Sequence, residues 1–113
     1  MTATVTTGRD VISELRERFP EIGITEQKTA DGIPTVWVDR EHIRALLAYL
    51  KSDIPEPYRM LFDITAIDER ARRTAEPPNC RTAEPDFTVV YQLLSFERVQ
   101  YFRVKTPLRG EYQ

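Results

Sequence analysis

Apolar positions repeat along this chain with two periods, and the alternation between them predicts the elements. Val11, Ile12, Leu15 and Phe19 return at helical spacing, which predicts a helix over 8–18 that Pro20 stops. Thr7 is the candidate N-cap, with Asp10 three residues on in the manner of a capping box. Residues 22–28 alternate loosely, and Thr35, Val36, Trp37 and Val38 are β-branched or aromatic, so the pair reads as a hairpin around Asp31-Gly32. Asp39 precedes a second amphipathic run, 40–52, in which Ile43, Leu46, Leu47 and Leu50 share one face. Pro55 and Pro57 end it.

The remaining runs are β-like. Residues 58–67 predict a strand, with Met60, Phe62, Ile64 and Ala66 forming a wholly apolar face turned toward the helices. Residues 87–96 and 101–106 predict an antiparallel pair joined through the polar turn Glu97–Gln100. Between these strands lies 69–85, longer than the usual connection and carrying Pro77, Pro78 and Pro85; it is expected to be the least ordered interior segment. The order helix, two strands, helix, three strands defines the fold class: α+β, a two-layer sandwich whose mostly antiparallel sheet of about five strands carries two helices on one face. Residues 1–7 read as a disordered tail, 8–108 as one domain, and 109–113 as the truncated end of a longer chain.

Composition narrows the function classes. At 113 residues the chain is long enough for one core. A formal net charge of -2 lacks the basic surplus that non-specific nucleic-acid binding runs on. No apolar run approaches the roughly 20 residues of a membrane span, and the first residues lack the basic start and apolar core of a signal peptide. The one cysteine, Cys80, cannot form an intramolecular disulfide or by itself ligate an iron–sulfur cluster.

Candidate chemistry is sparse. His42, the single histidine, reads as a helix-surface residue because no nucleophile or paired base stands beside it in sequence. Asp63, Asp68 and Glu69 form a small acidic group near a strand end; carboxylates so placed can hold a metal, yet neither a histidine nor a glycine-rich loop accompanies them. Cys80 beside Arg81 has a cation that favours thiolate but no partner residue. Trp37 reads as core. Phosphate loops, dinucleotide fingerprints and metal-ligand spacings are absent from the sequence. Neither catalytic residues nor resident cofactor or metal ligands are predicted, and the isolated chain is expected to carry no flavin, iron or zinc.

Several segments, taken in order, nonetheless form a pattern. Tyr58, Met60-Leu-Phe-Asp63, Asp68-Glu-Arg70, Phe87-Thr-Val-Val-Tyr-Gln-Leu-Leu-Ser95, Arg98 and Arg103-Val-Lys105 resemble the 30-kDa subunit of proton-pumping NADH–quinone oxidoreductase, respiratory complex I, over roughly residues 10–108. Asp68-Glu-Arg70 followed by an arginine-bearing loop is similar to the bacterial form in which this subunit is the first part of a fused C/D polypeptide. The resemblance implies a non-catalytic assembly domain in the peripheral arm, on the cytoplasmic side of the bacterial inner membrane. It implies iron–sulfur and quinone-site subunits as partners, with the iron–sulfur clusters, FMN, NADH and quinone all held by those partners. A related membrane-bound hydrogenase large subunit, whose N-terminal domain is similar in fold, is the alternative.

Interface candidates follow from alternation on the last strand. Tyr101, Arg103 and Lys105 alternate with Phe102, Val104 and Thr106, so Phe102 and Val104 should face the helices and the Tyr–Arg–Lys row should point outward. A solvated sheet face accounts for that row without function. Alternatively Arg103 and Lys105 meet acidic groups of a neighbouring subunit, with Tyr101 as an aromatic contact and Arg70 and Arg73 contributing from the loop. On that second reading Arg103→Glu leaves the melting temperature nearly unchanged.

Overall fold

A computed structural model of the protein describes residues 10–70 and 86–109. Helix α1 spans Val11–Arg18, strand β1 Thr25–Gln27 and strand β2 Thr35–Trp37. Helix α2 spans Ile43–Ala48 and continues as a π-helical turn, Tyr49–Asp53. Strands β3, Met60–Asp68, β4, Phe87–Ser95, and β5, Gln100–Leu108, complete the element list. The five strands form one sheet in the order β1-β2-β5-β4-β3. All neighbours pair antiparallel except β2 and β5, which run parallel with Thr35 opposite Arg103. The sheet is therefore mostly antiparallel, and the parallel joint arises because α2, β3 and β4 intervene before β5 returns beside β2.

The expected elements appear with shifted ends. The first helix starts at Val11, and Asp10 caps it, its carboxylate accepting from the Ile12 N–H at 3.2 Å and from the Ser13 hydroxyl at 3.2 Å. Thr7 lies outside the described residues. The second helix begins later than expected, because Asp39 closes a turn through its carbonyl, which accepts from the His42 N–H at 3.0 Å, and His42 takes the N-cap position without a side-chain cap bond. Its C-terminal end widens to π geometry, the Ile54 N–H donating to the Tyr49 carbonyl at 2.9 Å. Pro55 then forces Ile54 into extended backbone, ψ 144°, and the helix stops. Pro107 sits inside β5. Arg103 N–H points toward β2, donating to Pro34. By two-residue alternation so does position 107, where β2 has already ended.

The core lies between the helices and the near half of the sheet. Val11, Ile12, Leu15 and Phe19 of α1, Leu46 and Leu50 of the second helix, and Ile54 and Tyr58 of the following loop pack on Val36, Val38, Leu93, Phe102 and Val104. Phe102 and Val104 are fully buried, as alternation predicts. No β3 residue belongs to this cluster.

That absence corrects the reading of β3. The register shifts between Leu61 and Asp63, so Phe62 sits at a β-bulge. Met60 lies opposite Leu94, and the Phe62 ring meets Tyr101 at 5.1 Å, so both occupy the face away from the helices. Ile64 and Ala66 lie opposite Tyr91 and Val89 on the helix side. The four residues do not share a face, because one extra residue inverts the alternation. Nor are they covered: along β3 every residue but Ile67 is exposed, since the helices reach only the inner strands.

Candidate partner interface

The β4–β5 hairpin is tied through its turn to α1 and to the 55–56 backbone. Ser95 opposes Gln100, and Phe96–Val99 make the turn, close to the polar turn read from sequence. Arg98 anchors it. Its side chain is 6% exposed and lies near Glu14 of α1, Nη2 to Oε1 3.3 Å. Nε donates to the Glu56 carbonyl at 2.9 Å, and Nη2 also donates to the Pro55 carbonyl. The guanidinium lies over the Tyr58 ring, 5.3 Å from its centroid. Ser95 Oγ accepts from the Arg98 N–H and donates to the Glu56 carbonyl, closing the same knot. Tyr58 donates to Gln100 Oε1 at 2.6 Å. Burial, first among the causes, pushes the Tyr58 phenol up to about 12. Val99 closes the turn at φ 52°, a left-handed conformation uncommon for a β-branched residue, and is 83% exposed.

The outward row of β5 is oriented as expected but is occupied within the chain. Arg103 Nη2 donates to Asp31 Oδ2 at 2.9 Å, and Nε to Gln92 Oε1 at 3.4 Å. The Arg103 hydrogen bond, then the Ile33 N–H and the Thr29 hydroxyl, hold the Asp31 carboxyl well below the usual carboxylate range. Lys105 donates to Gln27 Oε1 at 3.1 Å and lies over the Trp37 ring at 5.4 Å. Trp37 is buried, yet on the outer face beneath Lys105 and apart from the helix-facing core, with its indole N–H on Gln27 Oε1 at 2.8 Å. Arg70 is engaged too, donating to both Asp68 oxygens at 3.0 and 2.9 Å and lying over Phe87. Arg73 and Cys80 lie outside the described residues, as does most of the 69–85 loop.

Of the candidates, Tyr101 is the one with a bare apolar surround. It is 46% exposed and its ring meets the exposed Phe62 ring; Met60 lies on the same face, and Phe96 and Val99 are exposed in the adjoining turn. Leu61 and Ile64 of β3 add exposed apolar area on the helix side. The sequence held the signal for this surface: Met60-Leu-Phe-Asp-Ile64 puts large apolar side chains on both phases of one strand, and a single helical layer cannot bury both.

The acidic group does not converge. Asp63 pairs opposite Gln92 and Asp68 opposite Phe87, so they lie on opposite faces. Asp63 accepts from Thr65, Asp68 from Arg70 and Glu69 from Thr88. His42 Nδ1 is 3.7 Å from Asp39 Oδ2, and with Glu41 these residues bring ligand atoms within 4.8 Å of one another. Asp39 and Glu41 are exposed, and such surface groups are common without an ion. No helix among the described residues is long and apolar enough to cross a membrane.

The geometry thus defines a small α+β domain with one well-packed half and one open apolar edge. Comparison with known proteins supplies the family. The profile of the respiratory-chain NADH dehydrogenase 30 Kd subunit family matches residues 36–113. The C/D subunit of NADH-quinone oxidoreductase from Acidiphilium cryptum is 44% identical over 100 residues, 87% of this chain and 16% of its own length. The C/D subunit of Nitrosospira multiformis is 46% identical over 98 residues, 79% of this chain and 15% of its own. That of Rhodopseudomonas palustris strain BisB5 is 39% identical over 107 residues, covering 93% and 17%. This chain belongs to the 30-kDa subunit family of respiratory-chain NADH dehydrogenase. It spans about one sixth of the length of these relatives.

Proposed function

We propose that the chain is a non-catalytic assembly domain in the peripheral arm of an NADH–quinone oxidoreductase, supporting electron transfer from NADH to quinone without touching either. The observation that carries this reading is the exposed apolar surface of Met60 and Phe62 on β3 and Tyr101 on β5, on one face of the sheet, with Phe96 and Val99 exposed in the adjoining turn that Arg98 ties down. Large apolar groups grouped on a surface mark contact with other proteins. The names of the relatives favour the NADH–quinone enzyme over the hydrogenase alternative. Iron–sulfur clusters, FMN, NADH and quinone belong on this view to the neighbouring subunits, and so do the cytoplasmic-side membrane contacts. Tyr101 is the central contact residue. Arg103 flanks it on the same face while tied to its own chain, and Lys105 and Arg70 lie farther along the sheet, also tied within the chain.

The test separates assembly from turnover. Met60, Phe62 and Tyr101 are changed together to Ser in the chain as its host expresses it. Assembled oxidoreductase should fall in solubilised membranes, while activity per assembled complex stays at the wild-type value. Normal assembly with lost turnover would overturn the reading. Metal and flavin analysis of the purified chain should give none in stoichiometric amount.

A further inference from the structure

The two ends of the sheet are unlike. β1 ends it with three residues, Thr25, Glu26 and Gln27, too short and polar to recruit another strand. Among the described residues β3 ends it on the other side, with nine residues that include neither proline nor lysine nor arginine. Its defences are one bulge and two aspartates. Glu69 N–H donates to the Asp86 carbonyl at 2.8 Å, in register with the β3–β4 ladder. Two-residue alternation then turns the N–H groups of Ile67, Thr65 and Asp63 toward β4, and those of Ile64 and Ala66 away from it. Around those outward amides stand Leu61 and Ile64 on one face, 48% and 54% exposed, and Met60 and Phe62 on the other, each 43% exposed.

We propose that the open edge of β3 takes up an extended strand from a neighbouring polypeptide segment of the oxidoreductase assembly, lengthening the five-stranded sheet by one strand. This rests on the assembly reading above. Main-chain bonds to the Ile64 and Ala66 amides supply the pairing, and alternate apolar side chains of the guest continue both faces. Charge selects the guest. Asp63 is exposed on the outer face and accepts within the chain from Thr65 at 3.2 Å, so a basic or hydroxyl side chain fits opposite it. A second copy of this chain fits badly: it would bring its own Asp63 to the joint, with no cation on the strand to meet it, Asp68 being already paired with Arg70. The length of the relatives points the same way. In them this stretch is 15–17% of the chain, so a much larger body is tethered to the fold and holds its segments at high effective concentration.

Hydrogen exchange on the assembled oxidoreductase and on the free chain tests this. The Ile64 and Ala66 amides should exchange at least about 100-fold more slowly in the assembly. The Ile64→Lys/Ala66→Lys double variant should recover about tenfold less assembly at an unchanged melting temperature. Glu26→Lys, the same charge on the opposite edge, should assemble normally. Equal exchange of the Ile64 and Ala66 amides in both states overturns strand addition while leaving the assembly reading intact. A free chain that is dimeric in light scattering, and monomeric as the double-lysine variant, overturns it in favour of self-pairing. Failure of the wild-type chain to co-purify with the oxidoreductase overturns the assembly reading itself, and this inference with it.

Discussion

Replacing Arg98 by alanine should be the most damaging single change in the hairpin. The guanidinium is 6% exposed and donates to the carbonyls of Pro55 and Glu56 and to the Glu14 carboxylate, itself 12% exposed. Truncation leaves Glu14 mostly buried without its cation, and breaking a buried pair from one side costs about 3–5 kcal/mol. Two backbone carbonyls lose a charged donor as well, a loss of similar size when counted bond by bond at about 1.5 kcal/mol each. A domain of this size has about 5–15 kcal/mol in all, and each kcal/mol shifts Tm by about 4–8 °C. Thermal unfolding followed by circular dichroism should therefore show Tm lowered by at least about 12 °C for Arg98→Ala. Glu14→Gln should cost less, because Arg98 keeps both carbonyls. The double variant Arg98→Ala/Glu14→Gln should recover about 1–3 kcal/mol relative to additivity. A loss under about 1 kcal/mol for Arg98→Ala would refute the anchoring role, since that is the range of an exposed pair.

The other expectations concern titration, packing and strain. Tyr58 has a folded value near 12 against an ordinary 10.0, so its contribution is present below pH 10 and lost as pH rises through about 12. Urea unfolding should show that alkaline loss in wild type and its absence in Tyr58→Phe, which also gives up about 1 kcal/mol with the Gln100 bond. Asp31 titrates below its ordinary 3.8, so the stability it lends is complete at neutral pH and disappears only on acidification below that value. In Arg103→Gln the Asp31 carboxyl should move back toward the ordinary range in an NMR titration, and Arg103→Glu should lower Tm, contrary to the expectation from sequence. Leu50→Ala, which empties a fully buried site, should cost about 2–5 kcal/mol in the same melts. Val99→Asn should gain about 0.5–1 kcal/mol by relieving the left-handed strain of a β-branched residue.

The fold was legible wherever pattern and burial agree. Phe102 and Val104 alternate with charged neighbours, and both are buried. Ser95 and Gln100 close the hairpin within a residue or two of the limits read from sequence. Leu46 and Leu50 share the helical face that meets the core. The failures have local causes. A β-bulge at Phe62 has no single-residue signature, and it inverts the phase of everything before it. The Arg103–Asp31 pair joins residues 72 apart, and nothing in the spacing of either announces the other. Asp39 looks like a cap because helix propensity resumes directly after it, yet its carbonyl is taken up by a turn. Charge singles out most of the interface candidates in the sequence, whereas the structure engages Arg103, Lys105 and Arg70 within the chain and leaves apolar groups bare.

That exchange bears on what kind of surface this is. Charged groups on a sheet face that already bond to Asp31, Gln92, Gln27 and Asp68 have little to offer a partner, because forming a new pair means breaking an old one. Apolar groups break nothing on contact, and each one covered gains about 25 cal/mol per Å² of area removed from water. A surface of this composition should bind with weak salt dependence, since ion-pair screening governs little of it. Arg98 ties the turn that displays Phe96 and Val99 to α1 and to the Pro55–Glu56 backbone, and a turn held in this way has less ordering cost on contact. On the assembly reading proposed above, the polar row of Arg103 and Lys105 has the role of a boundary, which solvates the rest of the outer face and leaves apolar contact to the β3 side of the sheet.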